Sequence, residues 1–151
     1  MATIYYNLRF DGRVAPVEGK KNTFTAKGTA SNNNISCRIG PKGVTGRILN
    51  EIDKGKAQFE SQVVIKGKRS FDEKGKITFG NNGKNGFRFE TVGSGDYTAG
   101  PAKGGMHGAV TWRITRGFGQ FKGAKGYITS NFSVDGKGRL TDNQIGNFNR
   151  K

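Results

Sequence analysis

The spacing of glycine constrains this chain more than any other feature. With 25 Gly in 151 residues, no segment of a dozen residues both avoids Gly and keeps apolar side chains at i, i+3, i+4 and i+7. Long helices are therefore excluded. Between the Gly, Asn and Asp clusters lie short segments in which apolar and polar residues alternate, the period of a strand buried on one face.

These segments recur along the chain. Ile4, Tyr6, Leu8 and Phe10 share a face ahead of an Asp11-Gly12 turn. Asn22–Ala30 is a weaker second strand. Ala57–Ile65 sets Phe59, Ser61, Val63 and Ile65 against Glu60, Gln62 and Val64. Lys76–Phe79 and Gly86–Val92 flank Asn81-Asn82-Gly83 as a hairpin, with Phe87, Phe89 and Thr91 opposite Arg88, Glu90 and Val92. A Gly-rich loop from Gly93 to Gly108 leads to Ala109–Arg116, where Val110, Trp112 and Ile114 alternate with Ala109, Thr111 and Arg113. Gly126–Val134 alternates Ile128, Ser130, Phe132 and Val134 with Tyr127, Thr129, Asn131 and Ser133. Thr141–Phe148 is expected to pair with the N-terminal strand. Val44–Ile52 is the best remaining helical segment, one turn or two. The pattern predicts one all-β domain over residues 1–151, a closed antiparallel up-and-down β-barrel of about eight strands, because closure removes the exposed edges of a meander. A β-sandwich is the second choice.

Composition narrows the function classes. There is no apolar run of about 18 residues, and MATIYYNLRFDGR lacks a basic segment followed by an apolar one. A soluble, cytoplasmic protein without membrane insertion is expected. Cys37 and His107 are each the only residue of their type, so an internal disulfide and a Cys/His zinc site are excluded, and no metal or cofactor is expected. The net charge of +15 comes from 26 Lys and Arg against 11 Asp and Glu. Those cations are spread through turns such as Asp53-Lys54-Gly55-Lys56 and Lys66-Gly67-Lys68-Arg69. They read as solvated loops and blunted edges, with nucleic acid or another polyanion as a less favoured partner.

Gly117-Phe118-Gly119-Gln120-Phe121-Lys122-Gly123-Ala124-Lys125-Gly126 has the form G-x-G-x-F-x-G-A-x-G, and it is followed by Asp142-Asn143-Gln144-Ile145-Gly146. It resembles the signature of the allene-oxide-cyclase-like barrels, a calycin-type group similar to dirigent proteins that extends to bacterial cyclases and uncharacterised bacterial members. The resemblance implies a calycin-like barrel with Phe121 inserted into one end and Ala124 fitted where nothing larger would go. It also implies that cavity shape, with few polar groups, controls the reaction. The implied activity is a cofactor-free isomerase or cyclase acting on a reactive, apolar small molecule. A non-catalytic, lipocalin-like carrier is the alternative, followed by a polyanion-binding module; a homo-oligomer is left open.

The loop Gly117–Gly123 is not a phosphate cradle, since no helix follows it and Gly-Lys-Ser/Thr is absent. Candidate catalytic groups are Glu60 and Glu90, acidic residues within strands, with His107 at a loop-to-strand junction and Asn131, an amide able to hold a substrate oxygen. Arg88, Trp112, Phe89 and Tyr127 are the candidate substrate-binding residues. Each carries a structural alternative. Glu60, Arg88 and Glu90 suit outer cross-strand ion pairs, His107 suits a surface position, and Tyr127 with Asn131 suits a wet outer face.

Overall fold

Alternation carries most of the chain into strands, and the strands extend beyond their apolar centres. The computed structural model describes residues 2–31, 33–50 and 55–150. Its strands are β1 (Ala2–Pro16), β2 (Thr23–Ser31), β3 (Asn33–Gly40), β4 (Gly43–Asn50), β5 (Lys56–Ile65) and β6 (Ser70–Phe79). They continue as β7 (Asn85–Thr91), β8 (Gly95–Ala99), β9 (Met106–Phe118), β10 (Lys125–Val134) and β11 (Arg139–Arg150). Neighbours pair antiparallel in the order β10-β11-β1-β2-β5-β6-β7-β9, and β9 pairs back onto β10. The ring is closed, as the meander predicts, and an open sandwich is ruled out. Thr141–Phe148, within β11, lies on the N-terminal strand, with Ile4 opposite Phe148 and Phe10 opposite Asp142.

Two segments depart from the expected pattern. Val44–Ile52 is not helical over its described part: Val44 to Asn50 is strand, and its last two residues lie outside the described residues. The β-branched pairs Ile39/Val44 and Ile35/Ile48 stand opposite each other across β3 and β4, an arrangement that favours a ladder over a helix. The resulting two-stranded arm is separate from the barrel sheet. The Gly93–Gly108 loop contains β8, which pairs with β9 and with the start of β6. It takes the place of β7 between those two strands beyond Thr91.

The barrel interior has three levels. One end is a plug of aromatic rings: Phe121 lies 5.0 Å from Phe79 and 5.8 Å from Phe148. Phe121 belongs to a 3-10 turn, Gly119–Phe121, and enters the barrel end as the loop motif implies. Gly117 is required there, since a Cβ on it would stand 1.7 Å from the Phe121 carbonyl oxygen. Midway, Phe89 stacks on Trp112 at 4.1 Å and Phe59 stacks on both. Toward the other end the packing opens into a cavity. No described helix is long and apolar enough to cross a membrane.

Candidate functional site

Inward parity in two strands delivers carboxylates to the interior. In β6, Phe71 and Ile77 are buried, and Glu73 lies between them in the same alternation and is buried too. In β11, Leu140 and Phe148 set the inward face, which brings Asp142 and Gln144 inside with them. Both carboxyl groups line a cavity of about 290 Å³. Its walls are mostly apolar and aromatic, with Phe24, Phe71, Tyr97 and Phe132 among them, and its rim is formed by Pro16, Met106 and the β10–β11 turn.

Each carboxylate is held by neutral donors. Glu73 accepts from the Ser61 hydroxyl on Oε1 and from the Trp112 indole N–H on Oε2 at 3.1 Å. Its backbone N–H donates to Thr91 Oγ1 at 2.7 Å, and Thr91 returns a bond to its carbonyl at 2.8 Å. Asp142 accepts from Ser130 Oγ at 2.6 Å and from Gln144 Nε2 at 2.7 Å, while Tyr6 OH donates to Gln144 Oε1 at 2.8 Å. The two clusters approach from opposite walls.

Electrostatics separates their protonation. Burial pushes the Glu73 carboxyl up to about 8, the nearby Asp142 charge adds to the shift, and the bonds from Ser61 and Trp112 oppose it. Burial pushes Asp142 up to about 6 against the bonds from Ser130 and Gln144. The Tyr6 phenol is raised well above its usual value, first by burial and then by the Asp142 charge. Both carboxyls are thus held toward the protonated form, Glu73 more strongly than Asp142, and the pair faces one apolar space.

The residues singled out from sequence divide between core and surface. Trp112 and Phe89 are buried; Trp112 reaches the site through Glu73, and Phe89 packs on its ring. Glu60, Arg88, Glu90, His107, Asn131 and Tyr127 lie outside this cavity. Alternation turns them outward. Glu60 stands 3.6 Å from Lys27, Glu90 is bound by Arg113, and Tyr127 is 58% exposed. Glu60, Arg88 and Glu90 do meet, in an outer hollow over Gly75. His107 and Asn131 share another with Asp96 and Asn143.

Glu73 and Asp142 escaped notice because β6 starts six residues before Lys76 and because charged residues are seldom assigned to a core face. Their parity with Ile77 and Phe148 was the available signal. Among the described residues no three His, Cys, Asp or Glu side chains gather as metal ligands would.

No family model and no curated protein matches the chain. Among solved structures, a pterocarpan synthase dirigent protein superposes with a TM-score of 0.56, covering 99% of this chain and 89% of that one at 15% identity. The fold is that of a dirigent barrel. At that identity the likeness extends to the strand framework and the closed ring. The polar cluster has to be judged on its own geometry.

Proposed function

We propose that this barrel is a cofactor-free acid–base catalyst, an isomerase or cyclase that holds a reactive, mostly apolar small molecule against Glu73 and Asp142. The observation that carries the reading is the pair of buried carboxyls, one near 8 and one near 6, opening onto one apolar cavity. Glu73 gives its proton to a substrate oxygen while Asp142 takes a proton from carbon or hydroxyl. The pair ends with the same number of protons and exchanged roles, and solvent restores the starting state. Ser61 and Trp112 hold the Glu73 carboxyl in place, and Ser130 and Gln144 hold Asp142. The apolar walls exclude water, so charge developing on the substrate is felt at low dielectric. That a protein of this fold is a pterocarpan synthase accords with a synthetic role.

The test follows deuterium exchange at the α-carbons of phenylacetone in D2O at neutral pH by NMR. The wild-type protein should accelerate exchange, and Glu73→Gln and Asp142→Asn should each lower the rate by about 10²–10⁴-fold. Equal exchange in all three proteins would defeat the proposal. Tight binding of the ketone with no exchange would instead identify a carrier.

A further inference from the structure

The sign of the cavity wall runs against that of the whole chain. The sequence carries 26 Lys and Arg and a net charge of +15, yet among the described residues no Lys, Arg or His lines the cavity, while Glu73, Asp142 and, at the rim, Asp135 do. At the mouth, Asp135 is tied to Arg139, and Arg69 nearby is tied to Asp96. Deeper in, neither carboxyl has a cationic partner among the described residues. All four oxygens of Glu73 and Asp142 accept from neutral groups: two hydroxyls, an indole and an amide.

Donors of that kind stabilise the charged carboxylate. Two buried carboxylates without a counter-charge are costly to maintain. Glu73 meets that cost in the free protein by keeping a proton, being pushed up to about 8. The proton occupies the place of a positive charge. Phe24, Phe71, Tyr97 and Phe132 also line the cavity, and aromatic rings accept both an apolar body and a cation. A volume of about 290 Å³ suits a compact ligand with a single ring better than a lipid chain.

We infer that this cavity also takes a competing ligand, a protonated amine on a compact apolar body, whose ammonium enters first and seats on the Glu73 and Asp142 carboxylates. This rests on the proposed function in taking the cavity as the working site, and it names a regulation of that site, since an amine that ionises Glu73 removes the proton on which the acid step depends. An ammonium beside Glu73 favours its ionised form, so binding near neutral pH releases up to about one proton. A carboxylate ligand would instead meet Asp142 as a like charge. The positive exterior slows a cation's approach without reversing the preference, since its field is screened beyond about 8 Å at physiological salt.

Titration calorimetry of the whole chain at pH 7 and about 150 mM salt, in two buffers of different ionisation enthalpy, tests this with 2-phenylethylamine, 2-phenylethanol and 3-phenylpropanoate. The amine is expected to bind at least about tenfold more tightly than the alcohol, with proton release, and the carboxylate not to bind. Asp142→Asn should cost the amine about tenfold more in affinity than it costs the alcohol; if that variant fails to fold, the three-ligand comparison on the wild-type protein decides alone. An alcohol that binds as tightly as the amine, or an amine that binds without releasing a proton, overturns the amine assignment and leaves the acid–base reading intact. Failure of all three ligands to bind also overturns the amine assignment, and phenylacetone exchange then decides the acid–base reading separately.

Discussion

Glu73→Gln separates the charge of the buried carboxyl from its packing, and the consequence is a change in how stability depends on pH. In the folded protein Glu73 keeps its proton up to about pH 8, whereas its ordinary value is 4.5. Between those values the folded state binds more protons than the unfolded one, so stability falls as pH rises. The stabilisation is complete below the unfolded value and is lost as pH passes through the folded one. Integrated from pH 6.5 to 9, the loss is about 2 kcal/mol. Asp142 titrates lower, near 6, and contributes little in that window. With a urea m-value of about 1–3 kcal/mol/M, the wild-type midpoint should fall by roughly 1 M between these pH values. Urea unfolding followed by Trp112 fluorescence provides the assay, since Trp112 is the only tryptophan and donates directly to Glu73. Glutamine matches the protonated carboxyl in offering one acceptor oxygen and a donor that Ser61 Oγ can accept, so any stability offset should stay within about 1–3 kcal/mol at every pH. That offset is independent of pH, and the variant's midpoint should be flat from pH 6.5 to 9. A variant that keeps the wild-type slope would refute the assignment of the slope to Glu73.

The plug and the outer face make separate predictions. Phe121→Ala should destabilise the barrel by about 3–5 kcal/mol, lowering Tm by roughly 10 °C or more for a domain of this size; a shift under a few degrees in a thermal melt would show that the ring cluster at that end is not load-sharing. Glu60→Ala removes an exposed pair with Lys27 and should change stability by less than about 0.5 kcal/mol. It should also leave phenylacetone exchange at the wild-type rate, and a fall in that rate would move the chemistry from the cavity to the outer hollow.

The framework was legible because periodicity of two is a local property. Tyr6 with Phe10, Phe87 with Phe89, and Val110 with Trp112 each announce an inward face, and all are buried. The G-x-G-x-F-x-G-A-x-G run similarly points to Phe121 as a plug. The site was harder to see for a reason of the same kind. Alternation identifies two faces of a strand, while closure decides which of them is inside, and closure depends on strands distant in sequence. Apolar anchors settle that question within each strand. Phe89 places Arg88 and Glu90 outside, and Ile77 places Glu73 inside. An acid in an apolar series reads as an interruption, which hides Glu73 and Asp142 until the register of β6 and β11 is known. The arm was missed because Val44 and Ile48 are spaced as helical neighbours, and only their cross-strand partners reveal the ladder.

The point from which that arm departs has a consequence for engineering. Ser31 and Lys56 are partners in the β2–β5 ladder, so their Cα atoms stand about 5 Å apart and the barrel circuit is already complete before the chain leaves it. This junction lies beside Ala57, whose partner across β6 is Phe79, at the plugged end and away from the cavity. Among the described residues between Ser31 and Lys56, β3 and β4 pair with each other and join no strand of the barrel sheet, so positions 32–55 can be exchanged as a cassette. A two-residue Asn-Gly turn can replace them without shifting the register, and a foreign peptide or small domain spliced there finds its two ends already held together, which limits the entropy of closing the inserted loop. The barrel thus offers a grafting port and a binding cavity at opposite ends, so that a displayed sequence can be varied without entering the chamber that holds Glu73 and Asp142.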